Sequence, residues 1–207
     1  MFTGLVQDKG IVEKLKANET GMEIYVSSKI SKSLVKGESV CTNGVCLSVA
    51  GFFEKGYTVY AVKETLSKTN LGELKIGDAI NLELALSASD KMGGHYVTGH
   101  ADDCAQVIEL KKLEDDSAEL WIEMPESLIK YCIAQGSLAV NGVSLTIAQI
   151  EGNRLKIALI PITLEDTNLG NCIQGTQLNV EVDMMAKYLE KFVSPYLAKL
   201  SGESDVK

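Results

Sequence analysis

The sequence predicts a mostly β protein in which two related antiparallel barrels are followed by one C-terminal helix. The main observation is an internal repeat, because Asn-Gly-Val-Cys-Leu-Ser at 43–48 returns 98 positions later as Asn-Gly-Val-Ser-Leu-Thr at 141–146. The register continues without a gap from 43 to 86, with about 14 identical residues. A period of this length is the size of a small domain. The chain is therefore a tandem duplication.

The second observation is that short apolar and β-branched segments recur in the same order in each half, separated by turn-forming residues. Two sets of closely spaced short strands favour two small closed barrels. No Pro-rich or Ser/Gly-rich linker occurs at the join, 87–94, so we expect the barrels to pack closely. We place the first domain at 1–88, the second at 89–184 and a terminal helix with its tail at 185–207.

The first half opens with an apolar segment, 1–6, that suits a strand starting at the first residue. Alternation of polar and apolar residues predicts strands at 23–26 and 79–86, and β-branched runs predict strands at 41–49 and 57–62. The remaining predictions are a helical turn at 30–34, a turn at 54–56, and a turn or short helix at 65–71.

The second half repeats this order, with predicted strands at 119–124, 140–150 and 155–160. Pro125 suits the start of a short helix at 125–133, and Gly152-Asn153 suits a hairpin turn. Beyond Asp183 the apolar residues adopt helical spacing up to Leu200. Such a helix must cover its own barrel or another subunit. We expect Pro195 to end or kink it and 201–207 to fray.

Composition excludes several classes of protein. A net charge of -8 and 6% aromatic residues argue against a nucleic-acid partner, including single strands bound in a barrel groove. No apolar stretch is long enough to span a membrane, and the N-terminus has no signal pattern. The five cysteines lack a Cys-x-x-Cys pair and are interpreted as free thiols. We therefore expect a cytoplasmic protein without a membrane partner.

Both histidines, His95 and His100, lie within six residues of each other and next to glycines. A metal site would add Asp102, Asp103 or Cys104, but this spacing along a strand does not bring the side chains together. We predict no metal. For His95 a structural role at the join is the better interpretation, whereas a functional role gains weight for His100.

Cys46 and Ser144 occupy equivalent places in the two copies. A lone free cysteine is most often a buried apolar residue. Together with the hydroxyls of Ser48 and Thr146, however, the pair predicts one small-molecule pocket in each barrel. Asp183 precedes the terminal helix and is at least as well explained as its N-cap. No nucleotide-binding or nucleophile-elbow motif is present.

Taken together, the motifs resemble riboflavin synthase of the alpha-chain type over essentially the full length. The matching segments are 1–7, 43–48, 63–66, 69–72, 93–100, 142–146 and the two Gly-x-x-(Ile/Leu)-Asn-(Leu/Val)-Glu segments at 77–83 and 175–181. The resemblance implies two six-stranded Greek-key barrels and a homotrimer assembled through the C-terminal helices. It also implies a transferase that dismutates two molecules of 6,7-dimethyl-8-ribityllumazine. The products are riboflavin and 5-amino-6-ribitylamino-pyrimidinedione, and no cofactor or metal is needed.

The resemblance also implies roles for particular residues. The positions that match catalytic residues of the family are Cys46, His100, Ser144, Thr146 and Asp183. The expected substrate-binding residues are Gly4, Leu5, Val6, Cys46, Leu47, Ser48, Tyr60, Ala61, Val62, Lys63, Glu64, Thr65, Gly99, His100, Ala101, Gln135, Ser144, Leu145, Thr146, Ala158, Leu159, Ile160, Pro161, Ile162 and Thr163. Gln135 is a departure, since lysine is frequent there in the family.

The main alternative is a non-catalytic lumazine- or flavin-binding protein of the same fold, such as the bioluminescence antenna proteins. Those proteins are expected to lose one pocket and the catalytic groups, whereas this chain retains Cys46, His100 and both hydroxyl pairs. The expected partners are therefore the lumazine substrate, two further copies of the chain and, as an association to test, lumazine synthase.

Overall fold

A computed structural model describes residues 1–200, with side chains up to 197. The strands of the N-terminal barrel are β1 Asp8–Ala17, β2 Gly21–Ser27, β3 Ser39–Thr42, β4 Val45–Phe53, β5 Gly56–Val62 and β6 Ala79–Leu84. Those of the C-terminal barrel are β7 Asp103–Lys112, β8 Ala118–Glu123, β9 Ser137–Val140, β10 Val143–Glu151, β11 Arg154–Leu159 and β12 Gln177–Val182. The helices are α1 Lys63–Lys68, α2 Glu126–Ile129, α3 Pro161–Asp166 and α4 Met184–Leu200.

Both barrels are closed and antiparallel, which confirms the predicted fold class. Their strand orders are β1-β2-β5-β4-β3-β6 and β10-β11-β8-β7-β12-β9, the same closed circuit under the repeat. Short 3-10 helices occur at Lys29–Ser33, Asn70–Glu73 and Asn168–Asn171. No helix among residues 1–200 is long and apolar enough to cross a membrane.

Alternation along the strands places one face of each strand in a barrel core. In β4 the buried residues Val45, Leu47 and Val49 alternate with the more exposed Cys46 and Ser48. Each barrel has its own apolar cluster, and the two clusters are separate. A third, small cluster lies between the barrels and contains Phe2, Cys41, Val97 and Ala139.

Several predicted elements need correction. Segment 1–6 is not a strand, because only Phe2 pairs, in an isolated bridge with Val97. Segments 41–49 and 140–150 each divide into two strands at an Asn-Gly turn, with Asn43 and Asn141 at φ of 47° and 46°. Strands β1 and β7 are not among the predicted strands. These two long strands pair on both sides within their closed barrels but contain many charged residues, so their apolar pattern is weak.

The C-terminal helix is present, and α4 continues through Pro195 to Leu200, so Pro195 does not end the helix; the alternative, a kink at Pro195, stays a prediction. The predicted fraying at 201–207 lies outside the described residues. Polar contacts attach α4 to the C-terminal barrel: Lys187 pairs with Asp102, and Glu190 accepts from Lys130 and Tyr131. The helix therefore stands at the side of the second barrel.

Candidate functional site

The repeated motif lies where the two barrels meet. The Asn43-Gly44 and Asn141-Gly142 turns face each other, and a Cβ on Gly44 would lie 2.8 Å from the Gly142 nitrogen. Both glycines have positive φ, 81° and 76°, which favours residues without a side chain. The contact relates the barrels by approximate twofold symmetry.

Asparagine side chains connect the barrels around this contact. The 3-10 helix of each half sends an amide group to the opposite barrel: Asn70 donates to Asn141 Oδ1 at 2.9 Å, and Asn168 donates to Asn43 Oδ1 at 3.0 Å. The Asn179 amide donates to the Asn43 carbonyl at 2.7 Å. Because these bonds cross between repeats, they hold the two barrels in a fixed relation.

The segment that precedes each barrel packs on the other barrel. The Gly4 carbonyl accepts from the Ser144 backbone N–H at 2.8 Å, and the Gly99 carbonyl accepts from the Cys46 N–H at 2.7 Å. A Cβ on either glycine would lie 2.6 Å from the Cβ of its serine or cysteine neighbour. The strand carrying each candidate nucleophilic or acid-base group is thus lined by a segment from the other half.

The first group of candidate residues, which we call the Cys46 half-site, lies on the N-terminal barrel. Strands β4 and β5 are antiparallel neighbours, with Val49 opposite Val59. Residues 46–48 on β4 and 60–62 on β5 therefore lie side by side beyond this pair. The predicted residues gathered there are Cys46, Leu47, Ser48, Tyr60, Ala61, Val62, Lys63, Glu64 and Thr65, with Gly99, His100 and Ala101 from the second half.

The second group, the Ser144 half-site, occupies the equivalent place on the C-terminal barrel. Strands β10 and β11 pair at Ile147 and Ile157. The predicted residues gathered there are Ser144, Leu145, Thr146, Ala158, Leu159, Ile160, Pro161, Ile162 and Thr163, with Gly4, Leu5 and Val6 from the first half. In both half-sites an exposed aliphatic residue, Val62 or Ile160, precedes the short helix.

Some predicted residues contribute backbone rather than side chains to these half-sites. Leu47 and Ala61 are buried in the core of the N-terminal barrel, and Leu159 is buried in that of the C-terminal barrel. Tyr60 directs its hydroxyl to Asn18 Oδ1, at 2.8 Å, in the turn between β1 and β2. Ser48 and Thr146 are exposed, so their hydroxyls are open to a ligand.

His95 is part of the Ser144 half-site, although the sequence pattern favours a structural role for it. Its Nδ1 lies 2.7 Å from the Ser144 Oγ, and its backbone N–H donates to the Thr3 carbonyl at 3.1 Å. Burial lowers the pKa of His95, while Asp183 and Glu181 act in the opposite direction. A neutral imidazole at this distance can accept a proton from the serine hydroxyl.

His100 differs from His95, because its side chain is exposed. Its position is set by its backbone, since its N–H donates to Glu181 Oε2 at 3.1 Å. The two histidines thus lie beside different half-sites: His95 contacts Ser144, and His100 follows Gly99, whose carbonyl bonds to Cys46. The signal available in the sequence was the Gly-Gly pair before His95, which permits the close approach of this segment to Ser144: a Cβ on Gly94 would lie 2.9 Å from the serine Cβ.

Asp183 and Gln135 lie at the edge of the Ser144 half-site. Asp183 caps α4, because its Oδ1 accepts from the Met185 N–H at 2.9 Å. Gln135 is exposed, has a φ of 66°, and donates its N–H to the Ile147 carbonyl next to Thr146. The equivalent residue of the first half is Gly37, with φ of 90°, so a left-handed backbone is required at this place in both barrels.

Two concave surfaces lie outside the half-sites. A cleft of about 340 Å³ between the barrels is lined in part by asparagines of this network, Asn43, Asn70, Asn141 and Asn168. A larger apolar groove, about 660 Å³, runs between α4 and the α2–β9 region. Within the described residues, no group of three His, Cys, Asp or Glu side chains is arranged to hold a metal ion.

Comparison with known proteins gives matches to both repeats. The family model "Lumazine binding domain" matches residues 3–85 and again 98–183. The riboflavin synthase of Photobacterium leiognathi is 37% identical, covering 93% of this chain and 89% of that protein. The riboflavin synthase of Bacillus subtilis strain 168 is 36% identical, with coverage of 93% and 90%.

Solved structures agree with these matches. The complex of LumP with 6,7-dimethyl-8-(1'-D-ribityl) lumazine aligns with a TM-score of 0.80 and 27% identity, covering 88% of this chain and 99% of that chain. The riboflavin complex of LumP aligns with a TM-score of 0.81 and 28% identity, with the same coverage.

Proposed function

The chain belongs to the lumazine-binding domain family, and we propose that it catalyses the dismutation of two 6,7-dimethyl-8-ribityllumazine molecules. In this reaction one molecule gives up a four-carbon unit and leaves as 5-amino-6-ribitylamino-pyrimidinedione, and the other accepts the unit and becomes riboflavin. The relatives named riboflavin synthase, at 37% and 36% identity over nearly the whole chain, make it a transferase.

The observation that carries this proposal is the presence of two equivalent half-sites, each with its own histidine. A dismutation needs two copies of one substrate, and a duplicated pocket supplies two similar binding surfaces. Holding both rings in register contributes to the rate through proximity. The exposed Val62 and Ile160 offer apolar surface for a ring, and Ser48 and Thr146 offer hydroxyls for hydrogen bonds.

The half-sites differ in their capacity for proton transfer. In the Ser144 half-site the imidazole of His95 is within hydrogen-bond distance of a hydroxyl, whereas the Cys46 half-site has a thiol and the exposed His100. We assign to His95 and Ser144 the removal of a proton from the acidic ring methyl of the lumazine bound beside them. The resulting carbanion adds to the second ring. Cys46, in the other half-site, then contacts the ring that is attacked, and Thr146 contacts the ring bound beside Ser144.

The proposal includes assembly into a homotrimer. In the family the active site pairs the N-terminal barrel of one subunit with the C-terminal barrel of its neighbour. Helix α4 supports this arrangement, because Tyr188, Leu189, Phe192, Tyr196 and Leu197 are at least half exposed in the single chain. Exposed apolar patches of this kind are typical of subunit interfaces. The resemblance further implies association with lumazine synthase, which co-sedimentation of the two proteins tests.

The deciding experiment mixes the purified protein with 6,7-dimethyl-8-ribityllumazine, without added cofactor or metal, and follows the products by absorbance and chromatography. Riboflavin formed at half the molar amount of consumed substrate establishes the dismutation. Tight binding without product identifies a lumazine carrier, the alternative function. If the protein neither binds nor converts the lumazine, it shares only the fold with its relatives.

A further inference from the structure

The repeated Gly-x-x-(Ile/Leu)-Asn-(Leu/Val)-Glu segments end in two carboxylates that the proposed chemistry does not use. Glu83 on β6 is 3% exposed and Glu181 on β12 is 4% exposed. In the described part of the chain, neither takes part in a salt bridge with lysine or arginine. A buried carboxylate needs other hydrogen-bond donors to compensate for its lost hydration.

Backbone N–H groups supply these donors. Glu83 accepts from the Thr3 N–H at 2.7 Å, the Thr3 hydroxyl at 2.8 Å and the Gly4 N–H at 3.0 Å. Glu181 accepts from the N–H and hydroxyl of Thr98, each at 2.7 Å, and from the Gly99 N–H at 2.9 Å. Burial raises the pKa of Glu83, and its bonds to Thr3 and Gly4 oppose this shift.

The segments held in this way line the half-site of the opposite barrel. Glu83 belongs to the N-terminal barrel, but Gly4 bonds to Ser144 and Val6 packs on the core of the C-terminal barrel. The same holds in reverse for Glu181, since Gly99 bonds to Cys46 and Ala101 packs on the core of the N-terminal barrel. Each carboxylate therefore connects its own barrel to a wall of the other barrel's half-site.

We propose that Glu83 and Glu181 are positioning residues that act crosswise: Glu83 sets the wall of the Ser144 half-site, and Glu181 that of the Cys46 half-site. The proposal rests on the proposed function, since it concerns how these half-sites bind lumazine or flavin. Glu83 acts through Thr3, whose carbonyl also accepts the N–H of His95. Glu181 acts through the backbone N–H groups of Gly99 and His100.

Glutamine at either position tests the idea, because its amide nitrogen would face the donors that the second carboxylate oxygen accepts from. The chain has only two histidines, one in each half-site, so the 13Cε1 signals of His95 and His100 report the half-sites separately. We would titrate the full-length protein with riboflavin and follow both signals by NMR. Glu109→Gln, on the exposed face of β7, is the matched control.

We expect Glu181→Gln to weaken the riboflavin affinity reported by His100 about tenfold, the size of one lost bond to a charged group, and to leave the affinity reported by His95 within about twofold. Glu83→Gln should weaken the riboflavin affinity reported by His95 to the same extent and leave the affinity reported by His100 within about twofold. An effect confined to the half-site of the same barrel, an equal effect on both signals, or no difference from Glu109→Gln would overturn the proposal.

Milder variants keep the test decisive if a glutamine variant does not fold. Thr98→Val and Thr3→Val remove only the hydroxyl donor, so the same crosswise pattern is expected with a smaller change. If the carboxylates had a purely structural role, the variants would lower the melting temperature but would not change one riboflavin affinity more than the other. Riboflavin that shifts neither histidine in the unmodified protein would instead contradict the proposed function, and with it this inference.

Discussion

Ser144 has an imidazole at 2.7 Å, and this contact bears directly on the reaction rate. We predict that Ser144→Ala lowers kcat by about 10²- to 10⁴-fold, the usual contribution of a positioned acid-base group. The serine is only partly buried, so the melting temperature should change little. Steady-state kinetics of riboflavin formation check this. The control is Thr146→Ser, which retains a hydroxyl at an exposed position of the same half-site. An unchanged kcat for Ser144→Ala would exclude this residue from proton transfer.

His95 leads to a prediction about pH. Burial is the main cause of its lowered pKa, so the imidazole should titrate below the ordinary value of about 6.5. Above that value it is neutral in both the folded and the unfolded chain, and its contribution to stability is complete. As the pH falls through the lowered folded pKa, the imidazole gains a proton and this contribution is lost.

The same protonation should abolish proton acceptance from Ser144, so kcat should fall on the acid side with a midpoint below about 6.5. A pH profile of kcat, together with the NMR titration of His95, measures both midpoints. His95→Gln should flatten the acid limb, whereas His100→Gln should retain it. A midpoint above the ordinary histidine value would contradict the assignment of His95 as the proton acceptor.

At the scale of single elements, α4 presents aromatic residues to solvent. Phe192 is 66% exposed and Tyr196 is 69% exposed, and the Tyr188 and Phe192 rings stack with their centroids 6.4 Å apart. These positions are not needed to fill the core of one chain. A charge placed on them should therefore block assembly while leaving the barrels folded.

We predict that Phe192→Asp sediments as a monomer of 22.4 kDa, whereas the unmodified protein sediments at three times this mass. Lys191→Asp changes the charge at the neighbouring exposed position and should leave the trimer intact. Deletion of 185–207 should give the same monomer as Phe192→Asp. A Phe192→Asp protein that remains trimeric would place the subunit interface elsewhere.

The elements also show where sequence patterns are informative. The Asn-Gly pairs are strong turn signals, but each lies inside an apolar run, and the run concealed the division of 41–49 into β3 and β4. The equivalence of Cys46 and Ser144 was predictable, because a repeat in register fixes it. The contact between His95 and Ser144 was not, since it joins residues 49 positions apart through a fold that the pattern does not specify.

At the scale of the whole molecule, the duplication predicted two barrels but not how they are joined. The segment that precedes each barrel packs on the other barrel through the bonds from Ser144 to Gly4 and from Cys46 to Gly99. Such pairings are long-range, and no local periodicity encodes them. The same is true of the asparagine network, although its residues lie in the segments that the repeat conserves between its two copies.

This network gives the last prediction. Asn70→Ala removes the donor to Asn141 Oδ1 and to the Gln177 carbonyl and the acceptor for the Asn179 amide, so each of these groups of the opposite barrel loses one hydrogen bond. Each lost hydrogen bond costs about 0.5–1.5 kcal/mol. We therefore expect the free energy of unfolding to fall by about 2–4 kcal/mol in urea, and Asn168→Ala should have the same effect through Asn43.

Asn171→Ala is the matched control, because Asn171 ends the 3-10 helix that begins at Asn168 but is exposed. Its free energy of unfolding should stay within about 0.5 kcal/mol of the unmodified value. Because the network joins the barrels, Asn70→Ala should also weaken riboflavin binding at both half-sites, unlike the crosswise effect expected for Glu83 and Glu181. Equal stability of Asn70→Ala and Asn171→Ala would mean that the barrels are joined by the bonds of Gly4 and Gly99 and by the apolar contacts around Phe2 and Val97, without a contribution from the network.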